Sequence, residues 1–236
     1  MSDLISITIN DQSLQASAGQ TILEIAREHD IHIPTLCYIK ELSIMGACRL
    51  CMVEVTGVPR LLSACATEAK EGMNIQTDTA RLRNHRRMIV ELLFAERNHV
   101  CAVCVSNGRC ELQNLARELG VTHTRFTYRY ERYPMDASHK RFVYDPNRCV
   151  MCTRCVRVCS EIEGAGTWAV KNRGIQSEVT TDLDTPWGES DSCTSCGKCV
   201  HVCPTGALFE KGKATGEMQK QGTKLPNLVS RRLSLR

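Results

Sequence analysis

Residues 149–159 read Cys149-Val-Met-Cys152-Thr-Arg-Cys155-Val-Arg-Val-Cys159, and residues 193–204 repeat the pattern as Cys193-Thr-Ser-Cys196-Gly-Lys-Cys199-Val-His-Val-Cys203-Pro204. In each run three cysteines stand three residues apart and a fourth follows four residues later. Three thiols at that spacing can wrap one cubane in a tight loop. The fourth, a helical turn further on, points to the other side and reaches a neighbouring cube. The doubled run therefore predicts one [4Fe–4S] cluster on Cys149, Cys152, Cys155 and Cys203, and a second on Cys193, Cys196, Cys199 and Cys159. A zinc site would use tetrahedral CxxC pairs and has no need for the added third and fourth cysteines. The expected architecture over residues 141–210 is a two-[4Fe–4S] ferredoxin-like domain.

Two more cysteine sets lie upstream. Cys37, Cys48, Cys51 and Cys65 suit one [2Fe–2S] cluster by number, although four thiolates on zinc are an alternative at this spacing. Cys101, Cys104 and Cys110 are three, which leaves one iron of a cubane without a protein ligand. His99, two residues before Cys101, can supply an imidazole, a ligand that replaces thiolate in some clusters and raises their potential. Its alternative is a solvated loop histidine, and the three neighbouring cysteines favour ligation. His201 is read as packing near a cluster or facing solvent. His29, His32, His85, His123 and His139 show no ligand spacing.

These sets absorb all 15 cysteines of the 236-residue chain. Hydrophobic residues make up 42% but aromatics only 5%, so large core-forming side chains are few and bound metal is expected to help hold the units together. The start, MSDLISITIN, has neither a basic n-region nor an apolar h-region, and no run of about eighteen apolar residues occurs. A cytoplasmic location is expected, where cysteine clusters mean metal more often than disulfides. Net charge is +4, of which residues 211–236 carry +6 and the rest −2. That basic tail suits an acidic protein partner, with a merely solvated tail as the plain reading and a peripheral membrane contact left open. No nucleic-acid-recognition motif accompanies it. Nor is there a glycine-rich dinucleotide fingerprint, a phosphate loop or an acid–base or nucleophile constellation. The chain has the means to pass electrons and none for substrate chemistry.

The expected fold class is α+β. Ile5 to Asn10 alternate, and Asn10-Asp11 supplies a hairpin turn. Thr21 with Glu24 forms a capping box that opens a helix to about Glu28. Met52–Val55, Leu61–Ala64 and Met73–Ile75 complete a small mixed domain over residues 1–78. Residues 79–140 form a small helical domain and connector. Thr79 caps a helix whose apolar stripe is Leu82, Met88, Ile89, Leu92 and Leu93, with arginines opposite, and a second helix runs from Glu111 to Leu119 and stops at Gly120. Residues 122–144 hold four of the five tyrosines among arginines, a connector that either packs aromatics between domains or lies on the surface. Residues 211–236 are a basic tail with little core-forming content.

In order and spacing the four sets, and the segment RNHVCAVCVSNGRCELQ at residues 97–113, resemble the N-terminal region of the large iron–sulfur subunit of respiratory complex I and of iron-only hydrogenases. The chain is most similar to HoxU-type diaphorase subunits of bidirectional NAD-linked [NiFe]-hydrogenases, over residues 1 to about 210. Complex I subunits typically keep one of the two ferredoxin-like clusters, whereas all eight cysteines are present here. Iron-only hydrogenases continue into a large catalytic domain, and this sequence runs only 33 residues past Cys203. The resemblance implies a β-grasp [2Fe–2S] domain with Cys37, Cys48, Cys51 and Cys65 as ligands, and a histidine completing the Cys101, Cys104 and Cys110 set. Complex I relatives place that histidine four residues before the first cysteine of the triplet, where this chain has Arg97. It further implies an electron-relay subunit of a hydrogen:NAD(P)+ oxidoreductase, with a flavin subunit carrying FMN and NAD(H) and a small [NiFe]-hydrogenase subunit as partners. An NADH dehydrogenase or formate dehydrogenase subunit is the alternative. A zinc-stabilised nucleic-acid-binding protein is a third, motivated by the basic tail.

Overall fold

The computed structural model describes residues 4–129 and 131–220. In the N-terminal unit β1 (Leu4–Ile9) and β2 (Gln12–Ser17) form a hairpin. Its two-residue turn puts Asn10 and Asp11 at φ 49° and 66°, the left-handed pair that matches the twist of the strands. The Asn10 side chain also donates to Thr77 Oγ1 and accepts from the Thr77 amide, tying the turn to the end of the unit. Helix α1 (Ile22–Glu28) begins with both halves of the capping box: Thr21 Oγ1 accepts from the Glu24 amide and Glu24 accepts from the Thr21 amide. It buries Ile22, Leu23, Ile25 and Ala26 against Ile7, Ile9, Val53 and Ile75.

Strands β3 (Met52–Val55), β4 (Val58–Ser63) and β5 (Asn74–Gln76) complete a five-stranded sheet of order β2-β1-β5-β3-β4. The β1–β5 pair is parallel and the other pairs are antiparallel. Strand β4 starts three residues before the expected Leu61. Gly57, at φ 82°, lets the chain reverse at once, and Pro59 is tolerated because β4 is the last strand in the order.

Helix α2 (Ala80–Glu96) is capped by Thr79, whose hydroxyl accepts from the Leu82 amide. Its buried face is not the expected stripe. Leu82 and Val90 are buried, but Met88 and Leu92 are exposed, and Arg86, Glu91 and Ala95 take the inner positions. Arg86 is accepted there because three carbonyls, of Leu50, Met52 and Thr77, receive its guanidinium. Helix α3 (Glu111–Glu118) packs Leu112, Leu115 and Ala116 into the same cluster. Gly120 adopts φ 63° and ends it, with the Val121 amide donating back to Ala116.

The connector runs extended along α2. Thr124 and Arg125 bond the Glu91 carbonyl and carboxylate, and the Arg129 amide donates to Ala95. Both readings of its tyrosines hold in part. Tyr133 lies under the Arg97 guanidinium and Tyr144 is in the C-terminal core, while Tyr128 is exposed.

The C-terminal unit joins β6 (Phe142–Tyr144) to β9 (Leu208–Glu210), and β7 (Trp168–Lys171) to β8 (Glu178–Thr181). A short helix α4 (Arg154–Arg157) continues as a π-turn over Val158–Glu163, and α5 (Lys198–Val202) is its counterpart in the second ladder. Residues 211–220 are not a free tail. Met218 is only 1% exposed in this core, its amide donates to Val105, and Lys220 donates to the Val200 and Leu208 carbonyls. The expected tail residues Lys224, Arg231, Arg232 and Arg236 lie outside the described residues. Among the described residues no helix is long and apolar enough to cross a membrane.

Candidate metal centres

The two ladders are built as matching loops. Met151 and Thr153 in the first, and Ser195 and Gly197 in the second, all have positive φ (49°, 57°, 56° and 75°) and stand at equivalent positions after Cys149 and Cys193. Left-handed backbone at three non-glycine residues costs of order 1 kcal/mol each. The geometry turns successive cysteines inward. Cys149, Cys152, Cys155 and Cys203 line one enclosed cavity, and Cys193, Cys196, Cys199 and Cys159 line the other. Each cavity thus takes its fourth cysteine from the opposite run. Cys159 sits in the π-turn after α4, a wider turn that carries its sulfur over to the second cavity.

Burial pushes these thiols up: Cys149 to about 11, Cys152 to about 12, and Cys155 and Cys199 higher still. Sulfurs that burial keeps protonated require a strong positive centre to become thiolates, which metal binding provides. Donors are aimed at them. The Trp187 indole N–H is 3.2 Å from Cys193 Sγ, Trp168 bonds Cys199, the Tyr144 hydroxyl bonds Cys149, and the Met151 amide points at Cys149 Sγ. Four thiols lining one cavity suit the four ligand positions of a polynuclear iron–sulfur group.

The upstream set is arranged as two pairs. Cys51 Sγ and Cys65 Sγ are 3.4 Å apart, and Cys37 is hydrogen-bonded to Cys48. Sharing a hydrogen bond with Cys48 brings Cys37 down to about 5 against the effect of burial, and the bond with Cys65 brings Cys51 to about 7. Cys48 and Cys65 are pushed up correspondingly. Two pairs of neighbouring sulfurs suit two irons with two thiolates each. The loop that presents them uses left-handed backbone at Glu41, Gly46 and Arg49, and the Leu36 amide points at Cys48 Sγ.

Cys101 opens a single 3₁₀ turn, Cys104 ends it, and Cys110 stands immediately before α3. Burial raises Cys101, and raises Cys110 to about 12, with Cys104 adding to both. The Gln113 side chain bonds Cys101, and the Ser106 amide points at Cys104 Sγ. His99 lies edge-on to Phe94 with ring centroids 5.4 Å apart. Its ring bonds the Leu93 backbone, while Nε2 is buried and without a hydrogen-bond partner. Burial, reinforced by Arg148 and Arg97, holds the ring neutral down to about pH 4. A neutral imidazole fixed through one nitrogen, with the other lone pair buried and unused, has the preparation of a ligand. Arg97 is turned elsewhere, donating to the Ser177 carbonyl and stacking on Tyr133. Arg148 acts on both His99 and Cys101, and its Cδ and the Cys104 sulfur both border Gly206.

His139 has a structural setting. It stacks on Phe142, its Nδ1 accepts from the Arg141 and Phe142 amides, and Nε2 meets Ser195. Sequence reasoning missed the buried cations between the ladder cysteines: Arg154, Arg157 and Lys198. A signal was available, since each stands within two residues of a predicted ligand in a segment with no room to reach solvent.

Three families match successive parts of the chain. These are a 2Fe-2S iron-sulfur cluster binding domain over residues 2–80, the NADH-ubiquinone oxidoreductase-G iron-sulfur binding region over 86–125, and the ferredoxin-like domain of NADH-quinone oxidoreductase subunit 3 over 140–209. The chain is 38% identical to the G 2 subunit of NADH-quinone oxidoreductase from Rhizobium meliloti, across 87% of its own length but only 24% of that protein. It is 32% identical to the gamma subunit of the NAD-reducing hydrogenase HoxS from Cupriavidus necator, covering 88% of this chain and 87% of the other. Among solved structures, a chain of NAD+-reducing [NiFe]-hydrogenase in the hydrogen-reduced state superposes with a TM-score of 0.83 at 35% identity, over 89% of this chain and 88% of that one.

Proposed function

The chain belongs to the family of NAD-reducing hydrogenase gamma subunits, and we propose that it is the electron-transfer subunit of such a complex, standing between a flavin subunit that carries FMN and NAD(H) and the small [NiFe]-hydrogenase subunit. The observation that carries this reading is the pair of cavities, each lined by four cysteines and each completed from the opposite ladder. Cys149, Cys152, Cys155 and Cys203 would hold one [4Fe–4S] cluster, and Cys193, Cys196, Cys199 and Cys159 a second. His99, Cys101, Cys104 and Cys110 would hold a third, and Cys37, Cys48, Cys51 and Cys65 a [2Fe–2S] cluster. When bound, such groups take up and release single electrons.

The chain's own residues hold these groups, exclude water and tune them. Burial of the ladder cysteines limits solvent at both cavities, and the indole, phenol and amide donors stabilise negative charge on sulfur. Cys196 is the exposed member of its set. The sheet order with its parallel β1–β5 pair supports a β-grasp for residues 1–78. The breaks at Thr77–Thr79 and before β6 support the divisions 79–140 and 141–210. The proposed role is a relay without a substrate site on this chain, and the proposed location is cytoplasmic.

Three experiments test the reading. Anaerobically purified protein should carry about 14 irons per chain and give both [2Fe–2S] and [4Fe–4S] signals; a colourless zinc protein would end it. The complex recovered through a tag on this chain should reduce NAD+ with hydrogen. The Rhizobium likeness gives the alternative its weight, and a complex that oxidises NADH but ignores hydrogen would make this a dehydrogenase subunit. For the third site, His99→Ala should change the spectrum and potential of one [4Fe–4S] cluster, and an unchanged signal would remove His99 from the ligand set.

A further inference from the structure

Helix α4 carries two buried arginines one turn apart, and between them they bond the backbone of ligands in two of the four cysteine sets and the residue next to a ligand in a third. Arg157 is 6% exposed. Its Nη1 donates to the Ser43 carbonyl at 2.5 Å, and its Nη2 donates both to the Cys37 carbonyl at 2.5 Å and to the Cys152 carbonyl at 3.2 Å. One nitrogen therefore bridges the backbone of a ligand in the two-iron set to that of a ligand in the first ladder. Arg154, equally buried, makes a bidentate pair with Glu111 (2.6 and 2.9 Å), beside Cys110, and reaches the carbonyls of Tyr38 and Val202 at 3.3 Å, beside Cys37 and Cys203.

The two differ in one respect. Arg154 has a carboxylate to balance it, whereas the acceptors of Arg157 are carbonyls; in both, Nε is buried without a hydrogen-bond partner. A guanidinium desolvated among carbonyl dipoles is costly unless negative charge lies near. The Glu161 carboxylate accepts from the amide and hydroxyl of Ser43 on the same loop, and the groups proposed for the Cys37 and Cys152 sets would add negative charge on either side. A cation placed between two sites stabilises whichever state carries more negative charge, which at an iron–sulfur site is the reduced one.

We propose that Arg157 is a positioning residue shared by the two sites: its forked guanidinium locks the Cys37 loop onto the Cys152 loop, fixing their separation, and its charge favours reduction at both. This rests on the cluster assignments above.

The test is EPR-monitored redox titration of the purified chain, together with the magnetic interaction between the two reduced sites. Arg157→Gln removes charge and fork, and should shift the one-electron reduction equilibrium of each of the two sites about tenfold toward the oxidised form, about 59 mV for one electron. Arg157→Lys keeps the charge but not the fork, so it should restore most of the potentials while the spin–spin splitting between the sites weakens. Arg83→Gln, at an exposed arginine paired with Asp78, should move neither quantity. Unshifted potentials in a fully iron-loaded Arg157→Gln protein would overturn the electrostatic role. Should that variant fail to take up iron, the lysine variant decides, since full iron with wild-type splitting overturns the bracket. Wild-type protein without both signals would overturn the cluster reading itself, an outcome visible before any variant is compared.

Discussion

Lys198→Met should loosen the second ladder by a predictable amount. Lys198 lies between Cys196 and Cys199, and Glu163 lies on the π-turn that carries Cys159, so their ion pair ties together the two segments lining one cavity. The side chains are 6% and 4% exposed with Nζ to Oε2 at 2.5 Å. Removing the ammonium leaves a desolvated carboxylate, a loss of about 3–5 kcal/mol for a pair of this kind. Thr194 still donates to Glu163 Oε1 at 2.9 Å, so the lower end, about 3 kcal/mol, is expected. At about 1.4 kcal/mol per tenfold this is a factor of roughly 100–200. The assay is the rate at which anaerobic protein in fixed urea loses iron to a chelator, followed together with the EPR signal of that site. The signal should decay up to about 100-fold faster if the pair is broken in the transition state for release. Glu163→Gln combined with Lys198→Met removes the stranded charge and should recover much of the loss, and a double-mutant cycle reads the coupling. A Lys198→Met protein within about 0.5 kcal/mol of wild type, the range of ordinary surface changes, would refute the argument.

Other outcomes follow from particular contacts. A Cβ on Gly206 would stand 2.4 Å from Cys104 Sγ and 3.3 Å from Arg148 Cδ, so Gly206→Ala should cost about 1–3 kcal/mol and deplete iron at the His99 site; full iron and an unchanged unfolding midpoint would show slack there. Met218→Ala should destabilise the C-terminal unit by about 2–5 kcal/mol in urea unfolding, whereas a solvated tail would give no change. Burial alone would raise the Glu91 carboxyl, but the bonds from Arg125 and Arg87 hold it below the usual range. Its folded value is thus below its unfolded one, so its stabilisation is complete above about pH 4.3 and is lost as the pH falls below that. The difference in thermal midpoint between wild type and Glu91→Gln should shrink over that acid range; a constant difference would rule out the ion pairs as its source.

The readings that held share a short range. The ladder spacing, the Asn10-Asp11 turn, the Thr21–Glu24 box and the stop at Gly120 each depend on residues a few positions apart, so the chain carries their geometry locally. The proposed exchange of the fourth cysteine likewise rests on one helical turn, and Cys203 and Cys159 each line the cavity of the opposite run. The readings that failed depended on what lies across a gap. The inward face of α2 is chosen by the carbonyls waiting for Arg86 and by the connector arginine that meets Glu91, not by its own stripe of leucines. Pro59 sits in a strand because that strand is an edge, which only the sheet order reveals. Met218 and Lys220 look like tail residues until the C-terminal core folds up beneath them. The same limit applies to Arg154 and Arg157. The sequence by itself determined how the cysteines are grouped in each loop, because their spacing is a property of the local backbone. How the sites are braced against one another was decided only in the tertiary structure, because a buried guanidinium takes its partners from wherever unpaired carbonyls converge, here from segments more than a hundred residues away.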